Sequence, residues 1–355
     1  MDPFSQAALG AVVAQSITSR LIPDRTIGYR AALFGAMAGA MPDIDVLFSI
    51  NGDFIDQLVL HRGITHSLIF APVVGPLLGW LVWRRERHKD PSVDSRELRF
   101  WITAITLAVL SHPLLDLLTT YGTQLLLPFS NARFAVNAMP IIDPVYTLTL
   151  LFGLICARLW PDKQHIHKIA LVTLVISSSY LGYGWILNKQ AEAHAIAQLQ
   201  ASGIVDPEVR AFPTILQVHY RRLVARLPDR DMVGFISLWT PCEIDWQSAP
   251  RADTDLLENY LQSREGKVFA WFTMGWAHYD LQPSAAGWRM SASDLRYGFG
   301  TDPRKSVFSL STLLRPDGAL DGSIQPGRNG PNAEGGSLTA MLSQTYAADC
   351  IPQSP

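Results

Sequence analysis

The chain has 355 residues, of which 48% are hydrophobic and 17% charged, and its mean hydropathy is +0.14. This length allows two domains. The formal net charge of −2 excludes a chain-wide positive field of the kind that attracts nucleic acid, so we expect no nucleic-acid partner. The averages hide two unlike parts: long uncharged stretches run to about residue 188, and the remainder resembles an ordinary soluble sequence.

The N-terminal region is rich in Ala and Gly. Its first stretch, MDPFSQAALGAVVAQ, lacks a basic n-region and carries Asp2, so it is a poor signal peptide. Segments 4–19 and 30–41 are weak candidates for helices in the membrane. The second contains GAMAG, from Gly35 to Gly39, a small-xxx-small pattern that permits close helix packing. We expect the two segments to form a tight helical hairpin against the other spans.

Four further segments have the length and composition of transmembrane helices. They are residues 67–83, 100–121, 141–159 and 169–188, close to the roughly 20 residues that a bilayer core requires. Each alone could be a buried core helix. Four in succession, flanked by arginines and tryptophans, favour membrane spans.

The distribution of Lys and Arg predicts the orientation. Alternate connections hold twelve such residues on one side and two, Arg62 and Arg133, on the other. The twelve are Arg20, Arg25, Arg30, Arg84, Arg85, Arg87, Lys89, Arg96, Arg99, Arg158, Lys163 and Lys168. Positive residues concentrate in cytoplasmic connections, so the chain after the last span is expected outside the cytoplasm.

The C-terminal part predicts a small β-rich soluble domain. The stretch NKQAEAHAIAQLQASG continues the last helix to a cap at Gly203. The runs VGFISLWT, KVFAWFTMGW, GWRMSASDLRYGF and SVFSLST have the aromatic and β-branched content of strands. From residue 317 the chain is rich in Gly, Pro, Asn and Ser and is expected to be a flexible tail. In an oxidising compartment, Cys242 and Cys350 are expected to pair.

These patterns predict an all-α multi-span membrane domain followed by a small β-rich soluble domain. The expected boundaries are 1–188 for the helical domain, 189–316 for an extracytoplasmic helix with the β-rich domain, and 317–355 for the tail.

Histidine and aspartate residues gather at the predicted outer face of the membrane. His112 and Asp116 are four apart and share one helix face. Ionisable side chains in apolar spans are costly and usually have partners, which favours a metal site. Taken singly, His61 could be an interfacial residue, and Asp43 and Asp45 could cap a turn after Pro42. The predicted ligands are Asp43, Asp45, His61, His66, His112, Asp116 and Asp143.

Mixed imidazole and carboxylate ligands suit Zn²⁺, Mn²⁺ or Fe²⁺. Six or seven ligands exceed what one catalytic zinc needs, because such a site keeps a position for water. The surplus predicts two ions, or one ion with outer groups and a general base. Two ions could clamp a phosphoryl group while metal-activated water attacks it. No GxSxG nucleophile elbow is present, so a serine mechanism is not favoured.

The stretches PDIDVLF, HRGITHSL, SHPLLDLLTTYGTQLLLPFS and IIDP carry a resemblance in this order. Residues 1–159 resemble the bacterial inner-membrane family of metal-dependent hydrolases, the DUF457 or YdjM-like proteins. The resemblance implies a multi-helix hydrolase of the bacterial inner membrane, distantly similar to zinc-dependent phospholipase C and P1-type nucleases. Some relatives resemble MDPLTHALLGA at the start, with histidine where this chain has Gln6. The positions that match the family's metal-binding residues are Asp43, Asp45, His61, His66, His112 and Asp116.

Together these features predict a membrane-bound hydrolase that acts at the extracytoplasmic face, with zinc favoured and one or two ions. The expected substrate is a phosphate ester such as the headgroup of a membrane lipid. We assign Asp116 and Arg62 to catalysis, with Arg62 holding a substrate phosphate or, alternatively, anchoring to lipid headgroups. Two other functions stay open: an ion-coupled transporter, and a scaffold whose metal staples the helices while the β domain binds a partner.

Overall fold

The computed structural model describes residues 1–18, 27–50, 52–160, 163–252, 254–285, 287–328 and 338–350. The chain divides into two compact units, Met1–Tyr183 and Gly184–Pro355, close to the expected boundary at 188. Apolar helices come first and two antiparallel sheets follow, which confirms the predicted fold class.

The helical unit begins with α1 (Pro3–Ser16) and α2 (Gly28–Ala40), which runs into a 3-10 helix, Met41–Ser49. A short helix α3 (Phe54–Leu60) and a 3-10 turn, Ile64–His66, precede α4 (Phe70–Lys89). Then come α5 (Ser95–Leu117), α6 (Pro144–Leu159) and α7 (Lys163–Ala201), and α7 continues into the second unit.

Among the described residues, three helical stretches are long and apolar enough to cross a membrane: Gly28–Phe48, Ser95–Leu117 and His165–Ala201. A fourth candidate is the pair Phe54–His66 and Phe70–Lys89, bent by 62°, whereas Pro144–Leu159 is shorter. The stretch from Gly28 is longer than the predicted segment 30–41 because Pro42 does not stop it. Proline is tolerated in the first turn of a helix, and Pro42 lies in the first turn of the 3-10 helix.

Helices α1 and α2 pack closely through glycines. A Cβ at Gly39 would lie 2.6 Å from the carbonyl oxygen of Gln6 and 2.9 Å from the Cα of Gly10. Only glycine permits this distance between backbones. The GAMAG pattern therefore predicted the packing correctly. On the side away from the site, Ala14 and Ala31 pack against Trp101 of α5.

The second unit contains two four-stranded antiparallel sheets, each with its strands in sequence order. The first has β1 (Glu208–Pro213), β2 (Tyr220–Arg226), β3 (Arg230–Ser237) and β4 (Gln247–Pro250). The second has β5 (Ala277–Ser284), β6 (Gly287–Asp294), β7 (Phe308–Leu314) and β8 (Leu320–Arg328). The end of α7 packs on the first sheet through Ala191, Ala195 and Leu199. That helix ends as predicted, with Gly203 at φ +86°.

One predicted strand is wrong. The run KVFAWFTMGW belongs mainly to helix α9 (Arg264–Phe272), which follows α8 (Asp255–Gln262). The side chain of Ser263 caps α9 by accepting a hydrogen bond from the amide of Gly266 at 3.0 Å. Phe269 and Phe272, three residues apart, are both fully buried. A spacing of three residues places both rings on one face of a helix, whereas the aromatic content of the run had suggested a strand.

The described part of the segment from residue 317, which was expected to be a flexible tail, contains regular secondary structure. Strand β8 pairs with β7, and α10 (Leu338–Thr345) buries Met341 against Tyr220 and Phe235. Beyond α10, Cys350 forms a disulfide bond with Cys242, which confirms the predicted pair. Paired backbone groups hold β8, and one covalent bond holds Cys350, which the Gly, Pro, Asn and Ser content did not indicate.

Candidate metal centre

Four side chains from three parts of the helical unit meet in one cluster. Asp43 comes from the 3-10 helix after α2, His66 from the turn before α4, and His112 and Asp116 from α5. One atom of each lies within 4.8 Å of the others. Both histidines and Asp116 are fully buried, whereas the side chain of Asp43 is 20% exposed. The cluster can therefore be reached beside Asp43.

The distances within the cluster fit a metal ion. The two Nε2 atoms of His66 and His112 lie 3.0 Å apart. His66 Nε2 is 3.4 Å from Asp43 Oδ1 and 3.3 Å from Asp116 Oδ2, and His112 Nε2 is 3.3 Å and 3.6 Å from the same oxygens. In a tetrahedron with metal–ligand bonds of about 2.05 Å, neighbouring ligand atoms are about 3.3 Å apart. These five distances thus match the spacing of a tetrahedral ligand set.

Hydrogen bonds fix which imidazole nitrogens face the cluster. His112 Nδ1 lies 2.6 Å from the carbonyl oxygen of Gly39, and a carbonyl can only accept, so Nδ1 carries the proton. His66 Nδ1 faces Asp45 Oδ2 at 3.2 Å, which favours the same tautomer. Both Nε2 lone pairs then point towards each other. Such lone pairs repel unless a cation lies between them, and this arrangement is typical of metal-binding histidines.

Asp116 supplies the most buried carboxylate. Its Oδ2 accepts no hydrogen bond within the described part of the chain. Arg62 Nε lies 3.0 Å from this oxygen, which makes an ion pair, although the groups are not aligned for a hydrogen bond. A buried carboxylate oxygen without a donor is costly, and a metal ion would satisfy it.

Arg62 has partners inside the protein and is 3% exposed. Its Nη1 donates to Thr119 Oγ1 at 2.8 Å and to the carbonyl of Asp116 at 3.3 Å, and its guanidinium lies over the ring of Tyr121. Its backbone amide donates to Asp45 Oδ2 at 2.8 Å. Arg62 therefore orients the two aspartates. Its burial does not support the expected contact with a substrate phosphate or a lipid headgroup.

A second group shares Asp43 and adds Asp45 and His61. His61 Nδ1 lies 3.1 Å from Asp45 Oδ1, and the His61 side chain is 28% exposed. The other oxygen of Asp45 is occupied by the Arg62 amide and lies next to His66. Asp45 therefore holds His66 of the first group through Oδ2. Its Oδ1 is the candidate ligand atom that it offers to the second group.

Asp143 lies outside both groups. It caps α6 by accepting a hydrogen bond from the amide of Tyr146 at 2.9 Å, and its other oxygen accepts from the hydroxyl of Tyr180 at 2.9 Å. We therefore correct its assignment from metal ligand to helix cap.

Gln6, which stands where some relatives have histidine, lies at the site: it is fully buried, and its Nε2 donates to Asp116 Oδ1 at 3.0 Å. Sequence reasoning missed three further groups at the site. The amino nitrogen of Met1 contacts the same oxygen. The carbonyl of Gly39 and the hydroxyl of Thr65 hold the histidines. The sequence could have indicated Thr65, because it directly precedes His66. It could not have indicated the Gly39 carbonyl, because every residue has a backbone carbonyl.

Two known proteins are similar to part of this chain. The chain is 35% identical to the inner membrane protein YbcI of Escherichia coli (strain K12) over 133 residues, which are 37% of this chain and 69% of that protein. It is 30% identical to the uncharacterized protein YfhP of Bacillus subtilis (strain 168) over 118 residues, 32% of this chain and 33% of that one. No solved structure matches.

The model of the YdjM inner membrane protein family matches residues 1–191, which is more than half of the chain and includes every residue of the two groups. The chain therefore belongs to the YdjM inner membrane protein family.

Proposed function

We propose that this protein is a membrane-bound, metal-dependent hydrolase that cleaves a phosphate ester, such as the headgroup of a membrane lipid, with metal-activated water. The observation that carries the proposal is the convergence of two imidazole nitrogens and two carboxylate oxygens in a buried cluster with the spacing of a metal's ligands. Family membership and the apolar helices support the membrane part of the proposal.

Asp43, His66, His112 and Asp116 would hold the ion. A bound Zn²⁺-like ion lowers the pKa of a coordinated water to about 7 and so would supply a nucleophile at neutral pH. The protein's own contribution is orientation. Gly39 and Asp45 fix the imidazoles, and Arg62 balances the charge of Asp116. Groups held in this way do not need to reorganise during the reaction.

Zinc is the metal that these ligands suit best, and the residues present could hold either one ion or two. Two imidazoles and two carboxylates with tetrahedral spacing match zinc's preferences. A second ion would be held by Asp43, Asp45 and His61, with Asp43 between the two positions. In a paired site the more exposed His61 would lie on the substrate side.

The surroundings of Asp43 favour a lipid substrate. Its neighbours on the same 3-10 helix include Ile44, Leu47 and Phe48, which are 45%, 60% and 67% exposed. Exposed apolar side chains next to a charged cluster suit an amphiphile whose acyl chains stay in the bilayer. A soluble substrate would gain nothing from them.

We further propose that the site and the C-terminal domain lie on the extracytoplasmic side. The twelve-to-two division of Lys and Arg supports this orientation. The disulfide between Cys242 and Cys350 supports it independently, since disulfides persist in oxidising compartments.

The proposal is tested on detergent-purified protein by elemental analysis followed by assays on phosphomonoesters, phosphodiesters and glycerophospholipids. We expect one or two bound divalent ions, hydrolysis of at least one ester class, loss of activity after chelation and recovery with Zn²⁺. Activity that survives complete removal of metal would contradict the mechanism.

The geometry also supports a second candidate, a metal that staples the helices without catalysis. Four protein ligands in tetrahedral spacing resemble a closed structural site, whereas catalytic zinc sites keep one position open. The same experiment separates the two functions. A firmly bound ion that raises the melting temperature, without hydrolysis across the panel, would favour the staple.

A further inference from the structure

Gln6 is a buried amide that reaches the metal centre from α1. The side chain is fully buried, and Nε2 lies 3.0 Å from Asp116 Oδ1 and 3.4 Å from the carbonyl oxygen of His112. Helix α1 comes this close because Gly39 has no side chain to hold the Gln6 backbone away. The packing of α1 on α2 thus delivers one neutral side chain to the cluster.

The orientation of this amide follows from its neighbours. A carboxylate and a carbonyl oxygen can only accept hydrogen bonds, so the amide must direct its NH₂ group at them. The reverse orientation would place three oxygens together. Gln6 Oε1 is buried and has no hydrogen-bond partner within the described part of the chain, so the NH₂ contacts alone orient the amide.

The two oxygens of Asp116 consequently differ. Gln6 and the Met1 amino nitrogen face Oδ1, whereas Oδ2 accepts no hydrogen bond and lies 3.3 Å from His66 Nε2. We infer that Gln6 is a positioning residue: it holds Oδ1 of Asp116 so that Oδ2 alone faces the two histidines, which keeps the carboxylate a one-oxygen ligand.

An amide suits this task because it donates without adding charge. A second carboxylate here would repel Asp116, and an aliphatic side chain would leave Oδ1 without this donor. Oδ1 could then turn into the cluster and bind the ion together with Oδ2, which would raise the coordination number. Supporting hydrogen bonds of this kind typically change metal affinity by about 10- to 100-fold.

The inference rests on the proposed metal centre but not on hydrolysis, so the test measures metal binding. The full chain in detergent is stripped of metal and titrated with Zn²⁺ against a competing chelator. It is then loaded with Co²⁺, whose visible absorption distinguishes four-coordinate from five-coordinate sites. The variants are Gln6→Leu and, in case leucine disturbs folding, the unbranched Gln6→Met.

Gln15 provides the matched control on the same helix. It is 4% exposed, its Nε2 donates to the carbonyl of Gly28 at 3.1 Å, and its Oε1 also lacks a partner within the described residues. It is absent from both groups of candidate ligands. Gln15→Leu and Gln15→Met therefore remove an equally buried amide without touching Asp116.

We expect Gln6→Leu and Gln6→Met to bind Zn²⁺ about tenfold more weakly, because Oδ1 of Asp116 loses the amide donor that holds it. Their Co²⁺ absorption should weaken as the coordination number rises, and both Gln15 variants should match the unaltered protein. Unchanged affinity and spectrum in folded Gln6 variants would overturn the inference, as would equal losses in the Gln15 variants.

Failure of the unaltered protein to bind either metal would overturn the inference and the metal centre together. Metal binding without hydrolysis would contradict the proposed catalysis alone.

Discussion

His66 Nε2 and His112 Nε2 lie 3.0 Å apart, although 46 positions separate the two residues in the chain. Each ring is held at its other nitrogen, one by the Gly39 carbonyl and one by Asp45. Two imidazoles that are fixed so that their lone pairs converge are well placed to share a cation. This relationship is the basis of the first prediction.

Removing one ligand should abolish metal binding. His66→Ala or Asp116→Ala leaves three ligand atoms and a buried charge without its partner, so we expect no stoichiometric ion after purification and no hydrolysis. Elemental analysis of detergent-purified protein measures the first effect, and the ester panel measures the second.

Asp143→Asn is the control for these variants. Asp143 is as buried as Asp116 but caps α6 and belongs to neither group of candidate ligands, and asparagine is also a good N-cap residue. We expect this variant to keep its metal. The site assignment fails if the His66 and Asp116 variants retain full occupancy and activity.

Local patterns predicted part of this site and missed the rest for physical reasons. The shared face of His112 and Asp116 follows directly from helical periodicity. The approach of His66 depends on a 62° bend between helical segments, which no local pattern reports. Asp143 could have been recognised as a cap, because it directly precedes Pro144 at the first position of α6.

The inward direction of the Arg62 side chain could not be predicted from the sequence either. It has a positive φ of 59°, rare for a residue with a side chain, and this backbone conformation lies just before Gly63. A sequence gives no sign that an arginine near a membrane surface turns inwards. Its charge therefore suggested a contact with phosphate, whereas its position makes it the partner of Asp116.

Replacing Arg62 should lower the stability of the metal-free protein more than that of the metal-loaded protein. Arg62→Ala leaves the buried Asp116 carboxylate without its counter-charge, which typically costs about 3–5 kcal/mol of stability. A bound divalent ion would replace part of that charge. We expect the melting temperature of the variant to fall further below that of the unaltered protein after chelation than with Zn²⁺. Equal shifts with and without metal would contradict the pairing.

A side chain at Gly39 should disrupt the close packing of α1 and α2. A Cβ at Gly39 would lie 2.6 Å from the Gln6 carbonyl, so Gly39→Leu must separate the two helices. We expect a loss of at least about 1–3 kcal/mol and weaker Zn²⁺ binding, because Gln6 moves away from Asp116. Thermal unfolding and Zn²⁺ titration measure the two effects.

Gly182→Ala is the matched control in α7. A Cβ there would meet nothing within 4 Å, and alanine is the better helix former by less than about 1 kcal/mol. This variant should be as stable as the unaltered protein or slightly more so. If Gly39→Leu behaves in the same way, the two helices do not pack as described.

The orientation in the membrane is tested by reporter fusions. A fusion after Leu199 should be active only as an extracytoplasmic reporter, and one after Lys89 only as a cytoplasmic reporter, because of the twelve-to-two charge division. A Leu199 fusion that is active only in the cytoplasm would refute the orientation. Peptide mapping without reduction provides a second readout, since Cys242 and Cys350 should be recovered as one linked peptide pair.

The last prediction concerns the pH dependence of the β-rich unit. Burial raises the pKa of Asp231, but hydrogen bonds from His278 Nδ1 and Arg226 Nε, both at 2.9 Å, outweigh it and hold this pKa below its ordinary value of 3.8. Because the folded state binds the proton more weakly than the unfolded chain, the carboxylate contributes its full stability above about pH 4. That contribution is lost as the pH falls through the folded pKa.

Asp231→Asn should therefore lower stability at pH 7, by roughly 3 kcal/mol for a broken buried pair, and flatten the decline in stability between pH 5 and 3. Trp276, which lies against Arg226, provides a fluorescence signal for thermal unfolding of the full chain in detergent. Asp302→Asn is the control. Asp302 pairs with Arg304 at the same 2.9 Å, but Arg304 is half exposed, and such pairs contribute at most about 1 kcal/mol. An Asp231 variant that declines with acid as steeply as the unaltered protein would show that this carboxylate does not set the pH dependence.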